Sequence, residues 1–118
     1  MRALAIGQRD TLLVALAGLL LFLPGIAARD LWNPDEPRYA QVAREMLASG
    51  EFLVPHLNGE VYTQKPPLLF WSIAAFGKLR GGVDEVAARL PSLLAGIAAL
   101  VAAYWMGRDL FGRRTGWI

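Results

Sequence analysis

The chain has 118 residues, 55% hydrophobic and 19% charged, with 12 Lys and Arg against 10 Asp and Glu and no cysteine. This excludes a disordered chain, which is poor in apolar residues and rich in charge, and a disulfide scaffold or Cys-ligated metal site. The length allows one ordinary domain at most, and the formal net charge of +2 matters less than its distribution.

Residues 1–10 carry Arg2, Arg9 and Asp10. The next stretch, Thr11 to Ala28, holds no charge, and a spanning helix needs about 20 mainly apolar residues. Residues 11–28 are therefore predicted as a first transmembrane helix. A rival reading takes Arg2, Arg9, the apolar run and the small residues to Ala28 as a secretory signal with a cleavage site. Both readings put residues 29–88 on the same side of the membrane.

The segment 29–88 holds six basic and eight acidic side chains. Asn33-Pro34-Asp35-Glu36-Pro37 has the form of a helix start, with acidic residues and Pro in the first turn. Tyr39, Ala43, Met46 and Leu47 then recur at helical spacing and Gly50 supplies a stop. This predicts an amphipathic helix over about 36–49. Asn58-Gly59 between apolar residues is a two-residue hairpin turn, and Pro55 demotes its first arm to an edge or irregular strand. Pro66 and Pro67 open a third apolar run, 66–79. That run is too short to span and rich in aromatics, so it is predicted to lie along the membrane surface.

Residues 89–106 form the second predicted span, bounded by Arg89 and Arg108. Pro91 is placed in its first turn, and Ser92 and Gly96 make a small-xxx-small pair for close helix packing. The tail 107–118 is basic. Lys and Arg near span ends favour the cytoplasm, which puts both termini inside and residues 29–88 outside. The predicted fold is thus an all-α membrane protein: two transmembrane helices joined by an extracytoplasmic loop with juxtamembrane helices.

Two features of the loop carry chemistry. Asp35 and Glu36, at a helix start, read either as caps and dipole partners or as carboxylates for general-base work. Lys65, at the start of another helix, opposes the macrodipole unless an anion such as phosphate binds there. Its alternative is a long side chain reaching from an interfacial helix to water. Arg38 pairs with an acid one turn away or serves a ligand, Tyr39 and Tyr62 fit an interfacial aromatic role, and His56 reads as a loop residue. No zincin, P-loop or nucleophile-elbow motif occurs, and the basic tail reads as a topology signal instead of a nucleic-acid surface.

The run Asn33 to Ala40, then Arg44-Glu45-Met46-Leu47, Leu53 to Gly59, Lys65-Pro66-Pro67-Leu68 and Ala88 to Ser92 resembles the amino-terminal part of a bacterial membrane glycosyltransferase family. That family includes the lipid A aminoarabinose transferases and is similar to the protein O-mannosyltransferases. The resemblance implies an inverting GT-C enzyme, a multispanning helical bundle in the bacterial inner membrane. It moves sugar from a polyprenyl phosphate donor, at the periplasmic face, to a lipid A, glycan or protein acceptor. Asp35 matches the catalytic carboxylate, with Glu36 beside it. Lys65 matches the lysine on the donor phosphate, and Arg38, Tyr39 and Tyr62 match positions nearby. Gln64 departs from the glutamate common before the Lys-Pro pair, and a divalent cation has no obvious ligand set. The resemblance also implies that this chain is a fragment, inactive alone, lacking the rest of the bundle. The competing reading from the residues is a non-catalytic two-span protein that binds a partner or a lipid phosphate.

Overall fold

Helical periodicity becomes helix over most of the chain in the computed structural model, which describes residues 6–31 and 34–118. Asn33 of the predicted helix start and Arg2 of the basic terminus lie outside the described residues. The order is α1 (Ile6–Phe22), a short 3-10 turn (Leu23–Gly25), α2 (Asp35–Ser49), β1 (His56–Leu57), β2 (Glu60–Val61), α3 (Leu68–Arg80), α4 (Glu85–Phe111) and α5 (Arg113–Gly116). Two units result: one pairs the chain up to Pro24 with Ser92–Ile118, the other is Gly25–Pro91.

Segments 7–25 and 85–111, most of whose length belongs to the first unit, are long and apolar enough to cross a membrane. Leu12, Leu13, Leu16, Leu20 and Leu21 of α1 are exposed, as suits lipid contact. The helices approach closely through glycines: a Cβ on Gly18 would stand 2.9 Å from Leu100 Cδ1, and one on Gly96 3.2 Å from the Phe22 ring. Gly96 of the small-residue pair thus faces another helix, whereas Ser92 is exposed.

Both spans differ from the sequence reading at each end: the first apolar segment is 7–25 instead of 11–28, and the second is 85–111 instead of 89–106. Asp10, expected in a cytoplasmic tail, lies inside α1 and is 2% exposed. Its carboxylate accepts from Tyr104 Oη at 2.6 Å and from Arg113 Nε and Nη2 at 2.6 and 2.7 Å. A charged residue there persists because it is paired. The last span begins at Glu85, not at 89, so Pro91 falls inside the helix instead of in its first turn. The cause is Asp84, whose Oδ1 accepts from the Ala87 N–H at 2.8 Å, the geometry of an N-cap.

The second unit is built around α2. Gly50 ends it in the left-handed region, φ 73°, donating its N–H to Met46 O at 3.0 Å. The predicted apolar stripe is wider than expected: Ala40 and Val42 are buried along with Ala43 and Met46. The helix is covered twice, which explains the width. Ala40 and Ala43 pack with Ile73 and Ala74 of α3 and with Val83. Val42 and Met46 pack with Tyr62 and Phe70. The 13 residues of α3 reach about 20 Å, short of a hydrocarbon core of about 30 Å.

The hairpin forms as its turn residues predict. Asn58 and Gly59 both take positive φ, 55° and 82°, the requirement of a type I′ turn. His56 faces Val61 and Leu57 faces Glu60 in an antiparallel register. Pro55, just outside the ladder, still accepts from the Tyr62 N–H at 2.7 Å.

Candidate functional site

All six predicted site residues lie in the second unit. Asp35 opens α2 with its side chain 61% exposed, 3.7 Å from Arg38 Nη1 one turn on. Pro34 precedes the helix and provides no side-chain cap, and neither Pro34 nor Pro37 has an N–H to offer, so the Asp35 carboxylate stands at an exposed helix end. Asp35 itself is not spent on capping in this geometry.

Glu36 turns the other way. Its carboxylate receives Arg89 Nη2 at 2.8 Å and Nε at 3.3 Å. The same guanidinium donates Nη1 to the carbonyls of Ile26 and Arg29 at 3.0 and 2.9 Å, and Nη2 to the Asp30 carbonyl at 2.9 Å. Arg89 is thus a knot joining the chain after α1, the first turn of α2 and the start of α4. From the sequence Arg89 reads only as the edge of a span. The available signal is a charge inside an apolar helix, which needs partners.

Arg38, Leu57, Glu60, Val61, Tyr62 and Gln64 line a cleft of about 320 Å³. Arg38 alone comes from α2; the hairpin and the segment after it supply the rest. Tyr62 is 6% exposed, and its ring packs edge-on to Phe70 at 5.9 Å, while Tyr39 sits on the same Phe70 at 5.8 Å. The Tyr62 hydroxyl is buried without a hydrogen-bond partner among the described residues, and such a group is costly to leave unsatisfied. The structure therefore brings Arg38, Tyr39, Tyr62 and Gln64 into one neighbourhood. Lys65 follows on the same strand of chain, exposed and without an ion pair to any described residue. It is not drawn into contact with Asp35. Lys65-Pro66-Pro67 leads into α3, whose N-cap Pro67 also provides no side-chain cap.

Glu45 is the second residue that spacing does not reveal. Its carboxylate accepts from the N–H groups of Asn58 at 2.6 Å and Gly59 at 3.2 Å, and from Gln41 Nε2 at 3.0 Å. The Gln41 bond and the two amides hold this carboxyl below the ordinary glutamate value, against the opposing effect of burial. His56 adds to the electrostatics here, and among the described residues no group of three His, Asp or Glu side chains is placed to hold a metal ion.

Residues 9–118 match the family model described as dolichyl-phosphate-mannose-protein mannosyltransferase. An undecaprenyl phosphate-alpha-4-amino-4-deoxy-L-arabinose arabinosyl transferase of Edwardsiella ictaluri is 36% identical over 82% of this chain and 17% of its own length. The protein of the same name from Pseudomonas savastanoi is 39% identical over 85% of this chain and 19% of its own. The crystal structure of ArnT from Cupriavidus metallidurans bound to undecaprenyl phosphate superposes with a TM-score of 0.80 at 31% identity, covering 95% of this chain and 20% of that one. The chain spans about one fifth of the length of the relatives it matches.

Proposed function

Since this chain belongs to the dolichyl-phosphate-mannose-protein mannosyltransferase family, we propose that the protein carrying it is an inverting glycosyltransferase. In this reading it takes a sugar from a polyprenyl phosphate at the periplasmic face of the bacterial inner membrane. The acceptor is a hydroxyl or phosphate of lipid A, a glycan or a protein. The names of the relatives support the donor class, undecaprenyl phosphate carrying an aminosugar. The observation that carries the reading is local: an exposed carboxylate, Asp35, shares a helix turn with Arg38, and Arg38 forms one wall of the cleft holding Tyr62 and Gln64.

The chemistry assigned to these residues is simple. The acceptor oxygen attacks the anomeric carbon as the bond from that carbon to the phosphate oxygen breaks, with inversion. Asp35 orients the acceptor and, for a hydroxyl, takes its proton. Negative charge grows on the departing polyprenyl phosphate, and Lys65 with Arg38 stabilises it. Fixed cations at a growing charge lower a barrier more than they lower the ground state. Tyr62 provides a hydroxyl donor for the same phosphate, and Tyr39 shapes the floor beneath it. Glu36, bound to Arg89, holds the helix end in place and leaves the proton transfer to Asp35.

The test is Asp35→Asn in the full-length protein, assayed with a polyprenyl-phosphate sugar. General-base loss is expected to slow transfer by roughly 10²–10⁴-fold, with expression and folding intact because the side chain is 61% exposed. Turnover within a few-fold of wild type would remove Asp35 from the mechanism.

A further inference from the structure

The hairpin that carries Tyr62 has strands of only two residues each. A lone two-stranded hairpin is marginal in water, so something outside the ladder must hold this one in place. Two groups of contacts do so, one from α2 together with Phe70 of α3 and one from α2 alone. At the base, Tyr62 packs against Val42, Met46 and Phe70. At the tip, both amides of the turn, Asn58 and Gly59, donate to the single carboxylate of Glu45.

Glu45 and Arg38 are seven residues apart on α2, two turns or about 10 Å along the same face. The hairpin therefore lies on α2 with its turn held at Glu45. Leu57 and Glu60 beside the turn, with Val61, Tyr62 and Gln64 after them, line the cleft against Arg38. Any rotation of the hairpin about its tip changes the distance from Arg38 to Tyr62. Gln41, one turn before Glu45, donates to Oε1 at 3.0 Å and fixes the carboxylate orientation.

We propose that Glu45 is a positioning residue for donor use: by gripping both turn amides it sets the width of the Arg38–Tyr62 cleft. It touches no substrate and acts through the hairpin. The proposal rests on the reading of that cleft as the place of the donor phosphate.

The experiment compares Glu45→Ala and Glu45→Gln with wild type in the full-length protein. It reads steady-state kinetics with a polyprenyl-phosphate sugar, thermal unfolding, and hydrogen exchange at residues 56–62. Glu45→Ala is expected to speed exchange at the turn amides by about tenfold to a hundredfold, the loss of two hydrogen bonds to a charged group. It is also expected to raise the donor KM by about tenfold, a small displacement of a binding group, with kcat nearly unchanged. Glu45→Gln keeps one acceptor oxygen and should fall between the two. If Glu45→Ala does not fold, Glu45→Gln carries the same comparison.

A donor KM that stays at the wild-type value while the turn amides exchange freely would overturn the proposal. So would kcat and KM effects that merely track lost thermal stability, since a structural strut alone would give that result. A wild-type protein that transfers no lipid-linked sugar would instead overturn the glycosyltransferase reading, and the two failures are thereby told apart.

Discussion

Replacing Arg89 by alanine should loosen the first turn of α2 more than any other single truncation in the second unit. The side chain is 11% exposed and makes five N–H···O contacts, three to the backbone carbonyls of Ile26, Arg29 and Asp30 and two to Glu36. Counted singly at about 1.5–3 kcal/mol each, hydrogen bonds to a charged group would sum to roughly 10 kcal/mol. That sum is too large, because Arg29 and Asp30 are exposed and Glu36 keeps 33% of its side chain in water. Water satisfies those groups once the guanidinium is gone. Truncating one partner of a buried pair costs about 3–5 kcal/mol, and the partial exposure of Glu36 points to the lower end.

We therefore expect Arg89→Ala to lower the local opening free energy of residues 26–31 and 34–38 by about 3 kcal/mol, on the order of a hundredfold faster exchange. Amide hydrogen exchange on the full-length protein measures this directly. Arg89→Lys keeps the charge but loses the planar fork, and should recover no more than about half of the loss. A double-mutant cycle with Glu36→Gln should give a coupling of about 1–2 kcal/mol. Exchange over those two segments that is unchanged in Arg89→Ala, or a coupling near zero, would show that the knot is incidental to the fold.

Two other outcomes rest on contacts at single residues. The Glu45 carboxyl is held below its ordinary 4.5 by Gln41 Nε2 and the turn amides of Gly59 and Asn58, so its contribution to stability is complete above that pH. It is lost as pH falls below 4.5 through the folded-state value. Turn-amide exchange, corrected for the intrinsic pH dependence, should rise there in wild type but not in Glu45→Gln. Gly77→Ala places a Cβ 2.5 Å from Val83 Cγ2 and 3.3 Å from Leu47 Cδ1. Overpacking where α3 meets Val83 and α2 should cost about 1–3 kcal/mol in an unfolding titration, and a neutral result would mean that Val83 and its segment shift freely away from α3.

What can be read from the residues is what depends on near neighbours in the chain. The Asn58-Gly59 turn and the Gly50 stop are local φ requirements, and both appear where expected. The two apolar stretches and the family resemblance need only order and composition. The Arg89 knot joins carbonyls about 60 residues away, and the Glu45 clamp reaches the turn 13 and 14 residues on; no periodicity reports such pairs. The extra buried residues of α2, Ala40 and Val42, escape the pattern for a related reason. A single stripe describes a helix covered on one side, and α2 is covered by α3 on one flank and the hairpin on another. The early start of α4 rests on one capping bond from Asp84, hidden in a sequence where Pro91 looks like the natural beginning.

Asp10 bears on how the chain is made. It sits within the stretch of α1 that can cross a membrane, yet its partners Tyr104 and Arg113 come 94 and 103 residues later. During synthesis α1 emerges first, carrying an acid whose neighbours have not been translated. The Asp10 contacts can therefore close only after Tyr104 of α4 and Arg113 of α5 have both been made.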